Sequence, residues 1–161
     1  MRFYKGKLEE FPYPKGEFDL YYLIFGDIWS TANIDLDSFT NLTALIIGNI
    51  KENSKLQLPD ALTNLTVLGM RDLEEWTELI LPKSCNNLLT LTIGDIKENG
   101  MLQLANELNK LSTLTIGNVA TSVILLPKFL DELRLAKEAN AWDSRNFIIG
   151  KIAEDAHFEE L

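Results

Sequence analysis

From Leu42 onward the chain repeats one phrase: Leu, two variable residues, Leu, one variable residue, an aliphatic, then Gly-Asn or Gly-Asp and a branched aliphatic. It occurs as Leu42-Thr-Ala-Leu45-Ile-Ile47-Gly48-Asn49-Ile50, as Leu88-Leu-Thr-Leu91-Thr-Ile93-Gly94-Asp95-Ile96, and as Leu111-Ser-Thr-Leu114-Thr-Ile116-Gly117-Asn118-Val119. Weaker copies begin at Leu20 and Leu65. A fixed step of 22 to 23 residues defines a solenoid, because one such unit cannot bury its apolar side alone and must stack on its neighbours.

The columns of the repeat predict how each coil is built. Leu45 and Ile47, with Leu23/Phe25, Leu68/Met70, Leu91/Ile93 and Leu114/Ile116, alternate with variable residues, which is the period of a strand with one buried face. A second alternating pair follows at Ile34/Leu36, Leu56/Leu58, Leu79/Leu81, Leu102/Leu104 and Ile124/Leu126, closed by Pro59, Pro82 and Pro127 in three copies. The glycines Gly26, Gly48, Gly94 and Gly117 predict either a corner with positive φ or a close approach between coils, with Arg71 the exception. The short polar residues that come next (Asp27, Asn49, Asp72, Asp95, Asn118) suit turns, and stacked copies can accept from the amides of neighbouring coils. A metal reading of the three aspartates is weak, because asparagines interrupt them. The echo of Gly48-Asn-Ile-Lys-Glu-Asn53 in Gly94-Asp-Ile-Lys-Glu-Asn99 points to duplication of a two-coil unit, with Lys-Glu-Asn as a solvated turn.

Leu-x-x-Leu-x-Ile with a polar turn at this period resembles the leucine-rich repeat proteins. The run Thr77-Glu-Leu79-Ile-Leu81-Pro82-Lys-Ser-Cys85, continuing to Leu88-Leu-Thr-Leu91-Thr-Ile93, is most similar to the bacterial BspA-like subgroup, in which a short strand closed by proline alternates with a second apolar segment. The polar residue differs in place: Asn49 and its equivalents come two residues after the last strand aliphatic, not three. The resemblance implies a protein-binding scaffold and no enzyme. The expected architecture is mainly β: a short leucine-rich-repeat-type solenoid of about five two-strand coils over residues 20–135. An aromatic N-terminal segment (1–19) caps one end and residues 136–161 cap the other, within one structural domain. Within that second cap, Ala136 to Trp142 reads as a short helix or irregular turn, Phe147 to Ile152 as one more strand, and Ala153 to Leu161 as helical or frayed.

Composition narrows the function. A formal charge of −9 disfavours nucleic acid and anionic membrane surfaces, which need a cationic footprint, and permits a basic protein partner. No stretch nears the roughly 18 apolar residues that span a bilayer, and the start of the sequence carries no signal-peptide core, so a cytoplasmic location is expected. The single cysteine, Cys85, has no histidine near it in sequence and stands in an apolar column with Phe39, Leu62, Leu108 and Leu130, so it reads as a small core residue. The single histidine, His157, lies in an acidic tail and reads as solvated. No cofactor or metal site is implied.

What remains is a surface. The outward positions of the first strand run Tyr21, Tyr22, Ile24; Thr43, Ala44, Ile46; Thr66, Val67, Gly69; Leu89, Thr90, Thr92; Ser112, Thr113, Thr115, and none is charged although charged residues make up 24% of the chain. An uncharged strip with tyrosines at one end is the pattern of a binding face. The expected partner-binding residues are Tyr21, Tyr22, Ile24, Ala44, Ile46, Val67, Thr90, Thr92, Thr113 and Thr115. The leading expectation is a non-enzymatic scaffold that binds another protein through this face. The alternatives are a cytosolic immunity-type protein that neutralises a toxin and, less favoured, a β-solenoid enzyme, whose convergent carboxylates and arginines this face lacks.

Overall fold

The computed structural model describes residues 21–29, 36–127, 130, 142–144 and 147–160, with side chains at all of these except 142–144. The chain is mainly β and folds as a parallel β-solenoid. The alternating pairs form the strands β1 (Tyr22–Ile24), β2 (Ala44–Ile47), β3 (Lys55–Gln57), β4 (Val67–Met70), β5 (Glu78–Leu81), β6 (Thr90–Ile93), β7 (Met101–Leu104), β8 (Thr113–Ile116) and β9 (Val123–Leu126). Three more strands follow: β10 (Trp142–Ser144), β11 (Phe147–Ile149) and β12 (His157–Glu160). Strands stack coil on coil into a first sheet, ordered β1-β2-β4-β6-β8-β11-β10, and a second, ordered β12-β9-β7-β5-β3.

Every pairing is parallel except β10 with β11, which closes one edge of the first sheet. Residues pair with their repeat equivalents, for example Leu45 with Leu68 and Leu91 with Leu114, so each apolar column becomes a continuous buried row. A third side holds one bridging residue per coil: Ile28, Ile50, Leu73, Ile96, Val119 and Ile152, all buried. These are the aliphatics that follow the polar column, and they turn a two-strand coil into a three-sided one. Strands β2 to β9 make four consecutive turns with one strand in each sheet.

The sheets continue past residue 135. Phe147-Ile-Ile149-Gly150-Lys151-Ile152 is a further copy of the phrase, paired on β8 with Phe147 opposite Leu114. The tail, expected to be helical or frayed, instead supplies β12, which pairs with β9. Its burial pattern explains the error: Phe158 is half-buried amid exposed His157, Glu159 and Glu160, so too little apolar alternation marks it as a strand. The N-terminal cap, Leu20, Ile34 and the expected helix or turn from Ala136 lie outside the described residues, except that Trp142 begins β10.

The polar column forms a ladder along the solenoid axis. Asp27 Oδ1 accepts from Asn49 N at 2.8 Å and from its side-chain amide at 3.1 Å. Asn49 Oδ1 accepts from Asp72 N at 3.2 Å, Asp72 Oδ1 from Asp95 N at 2.8 Å, and Asp95 Oδ1 from Asn118 N at 2.7 Å. Asn118 Oδ1 then accepts from Lys151 N at 3.1 Å, and lysine, which offers no acceptor, ends the ladder. The glycine column makes room for it. A Cβ on Gly94 would meet Asp72 Oδ1, and one on Gly117 would meet Asp95 Oδ1. Close approach is therefore the reason for these glycines, and none of the described ones has positive φ.

The left-handed corner falls instead at Asn53, Trp76 and Asn99, each at φ 58°. The next residue is a buried Ser54, Thr77 or Gly100. Asparagine tolerates this conformation; tryptophan does so at a cost of about 1–2 kcal/mol. Nothing in the residue type at 76 signals it.

The ladder makes the fold acid-sensitive. Burial works to raise the pKa of Asp27, but hydrogen bonds from Asn49 and Lys51 outweigh it and hold the carboxyl below its ordinary 3.8. At Asp95 the Asn118 amide is the main cause of the same lowering, joined by Lys97. A group whose folded pKa lies below its unfolded value stabilises the fold above the unfolded value and loses that contribution as pH falls through the folded one. The urea midpoint should therefore hold from pH 7 to about 5 and drop below about 4. Asp95→Asn, which keeps an acceptor, should blunt part of that drop; an identical acid profile in the variant would remove Asp95 from the account.

Candidate interaction face

Parallel register turns the outward positions of the first sheet into straight columns along the axis. One runs Tyr22, Ala44, Val67, Thr90, Thr113; the next runs Ile24, Ile46, Gly69, Thr92, Thr115, Ile148. A third, at the strand entrances, holds Tyr21, Thr43, Thr66, Leu89 and Ser112. The structure brings all ten predicted residues onto one face and adds Leu89 and Ile148 to its exposed apolar groups. Among the described residues no charged one stands in these columns from β1 to β11; β10, at the edge of the sheet, sets Asp143 in register with Ile148.

Accessibility is uneven. Tyr21 and Tyr22 are more than half exposed and Ile46 is 37% exposed, while Ile24, Val67, Thr90, Thr113 and Thr115 are half-buried and Thr92 is exposed. Ala44 corrects the expectation. At 4% exposed it offers a partner almost nothing, since its methyl lies in register between the larger Tyr22 and Val67. In the entrance column the hydroxyls are spent on the preceding coil: Thr43 Oγ1 donates to Tyr21 O at 2.8 Å, Thr66 Oγ1 to Thr43 O at 3.0 Å and Ser112 Oγ to Leu89 O at 3.1 Å. That leaves their carbon atoms to the surface, so the strip is less polar than its threonine content suggests.

A second side-chain ladder flanks the entrance column and was not foreseen. Asn64 Nδ2 donates to Thr40 O and Asn87 Nδ2 to Thr63 O, both at 2.8 Å, and Lys110 Nζ donates to Asn87 Oδ1 at 2.6 Å. The recurrence of Asn immediately before the opening leucine, at Asn41, Asn64 and Asn87, carried the signal.

Charges gather on the other sides of the coil. Lys51 lies 3.3 Å from Asp27 and 3.7 Å from Glu74, and 5.2 Å from the centre of the exposed Trp29 ring. Lys97 pairs with Asp95 at 3.3 Å, and across the second sheet Lys55 pairs with Glu78 at 2.7 Å. Cys85 is fully buried, and burial, aided by the negative charge of Asp60, pushes its thiol up to about 12, so it is a packing residue and no nucleophile. Among the described residues no group of three or more His, Cys, Asp or Glu is placed to hold a metal ion. No described helix is long and apolar enough to cross a membrane.

Fold and face together define a parallel β-solenoid, one side of which carries no charge in its outward columns from β1 to β11. No protein-family model, no curated protein and no solved structure matches the chain.

Proposed function

We propose that the charge-free face of the first sheet binds another protein, and that the chain is a non-enzymatic scaffold of leucine-rich-repeat type working in the bacterial cytoplasm. The observation that carries this is the set of outward columns with no charge from β1 to β11, on which Tyr21, Tyr22, Ile46 and Leu89 stay exposed in the folded chain. Tyrosine offers large amphipathic area with few rotors to freeze, so the energetic centre belongs near Tyr21, Tyr22, Ile24 and Ile46. Thr92 and Thr115 contribute complementarity more than energy. The inward leucines and the asparagine–aspartate ladder support the leucine-rich-repeat reading, and a lone buried thiol suits a reducing compartment. A toxin-neutralising role is the second reading, favoured by the net charge of −9, which would steer a basic partner.

Affinity capture from the native host tests the face. Tyr22→Ala combined with Ile46→Asp should lower partner recovery at least about tenfold, as loss of a hot spot does. The circular-dichroism spectrum and unfolding midpoint should stay close to wild type, because both side chains point away from the core. Glu substitutions at Gln57 and Gln103, on the second sheet, should leave capture intact. The reverse result would move the binding face to the second sheet.

A further inference from the structure

The repeat breaks its own pattern twice within one coil, and both breaks open onto the same recess. Gly69 stands in an outward column otherwise made of Ile24, Ile46, Thr92, Thr115 and Ile148. Arg71 stands where the other coils have glycine. Neither break helps the coils to stack. A glycine inside a strand packs no side chain. Arg71 sits at the longest link of the polar ladder, 3.2 Å from Asp72 N to Asn49 Oδ1, and its own amide reaches Ile47 O and Gly48 O only at 3.3 Å each.

The recess over Gly69 has a volume of about 840 Å³ and is walled by Ile24, Ile46, Val67 and Thr92, with Asp27 and Arg71 at its margin. Mostly apolar concavities of roughly 300–1,000 Å³ with a few placed polar groups are the usual form of small-molecule sites. The two charges are not equivalent. Asp27 is committed, with Oδ1 on Asn49 and Oδ2 3.3 Å from Lys51. The neighbouring Asp72 accepts from Asp95 N with its Oδ1. The exposed Arg71 guanidinium has no ion pair among the described residues. Its planar fork fits a carboxylate in two parallel hydrogen bonds. With Lys51 already paired to Asp27, Arg71 is the one cation among the described residues left to a ligand here, too little positive charge for a dianion such as a phosphate monoester.

We propose that this recess binds a small carboxylic acid carried on an apolar chain or ring, with the apolar part over Gly69 and the carboxylate on Arg71. This goes beyond the protein-binding reading, with which it shares Ile24, Ile46, Val67 and Thr92, so a bound acid and a protein partner would compete for this end of the face. The ¹⁵N-labelled chain is titrated with sodium octanoate below its micelle concentration, with octanamide as the neutral counterpart and with inorganic phosphate. Octanoate should shift the Ile46, Gly69 and Arg71 amide signals saturably, and octanamide should bind about fivefold more weakly or less, as loss of one charge-assisted pair implies. Arg71→Gln should bring octanoate down to the level of octanamide. Gly69→Val, which fills the recess with a residue suited to a strand, should abolish both without lowering the unfolding midpoint. Equal binding of acid and amide, octanoate binding untouched by Arg71→Gln, or phosphate binding as tightly as octanoate would each overturn the proposal. So would silence towards octanoate; if a captured partner is also lost with Arg71→Gln, the recess belongs to that partner.

Discussion

Replacing Leu91 with alanine should destabilise the protein by about 2–5 kcal/mol, the range for a buried leucine whose cavity stays open. Leu91 has no exposed surface and pairs in register between Leu68 and Leu114. Collapse into the cavity would need the flanking coils to move together, but hydrogen-bonded strands already sit at the sheet spacing of about 4.8 Å. The side facing the second sheet is held as well, since Leu79 and Leu102 are in register on β5 and β7 and equally buried. Because stability in a solenoid is close to a sum over neighbouring coils, a lesion in a central coil weakens two interfaces. Urea unfolding reads the loss; a value under about 1 kcal/mol would mean that Leu91 is not locked in a core row.

The core was legible because its signal is redundant. Leu45, Leu68, Leu91 and Leu114 recur at one step, and pairing equivalent residues is the only stacking that buries all of them. The outward columns follow from the same register, so the uncharged face from β1 to β11 is written in the sequence. Features that depend on depth or backbone angle were not legible. The burial of Ala44 comes from its small size between larger neighbours, not from its place in the pattern. A positive-φ corner was expected at the glycines if anywhere, and it falls at Asn53, Asn99 and Trp76, the last against its residue preference. The strand at Phe147 to Ile152 was legible, but not as a copy of the phrase, because Val119 pairs with Ile152 about ten residues beyond the usual step and the copy falls out of phase with the others.

Gly117→Ala tests whether the glycine column is a requirement of the ladder or a habit of the repeat. Alanine ordinarily improves on an interior glycine by roughly 0.5–1 kcal/mol, so a loss here has to come from contact. The added Cβ would meet Asp95 Oδ1 and would also lie 2.8 Å from Gly94 C and 2.9 Å from Asp95 N, which are backbone atoms and cannot rotate away. Either the coils separate or the Asp95 carboxylate leaves Asn118, whose amide it holds at 2.7 Å. A net cost of about 1–3 kcal/mol is expected, the penalty for stranding a hydrogen-bonding group, with faster hydrogen exchange at the Asn118 amide. Gly69→Ala supplies the contrast: its Cβ would meet only the tip of Ile46, at 2.9 Å, which can swing outward, so stability should hold or rise. Arg71 shows that a side chain in the glycine column is survivable, at the expense of the long 3.2 Å link beside it. Arg71→Gly should therefore tighten that link and raise the urea midpoint slightly. If Gly117→Ala and Gly69→Ala instead behave alike, with Asn118 exchange unmoved, the close approach of successive coils is not what keeps glycine at these positions.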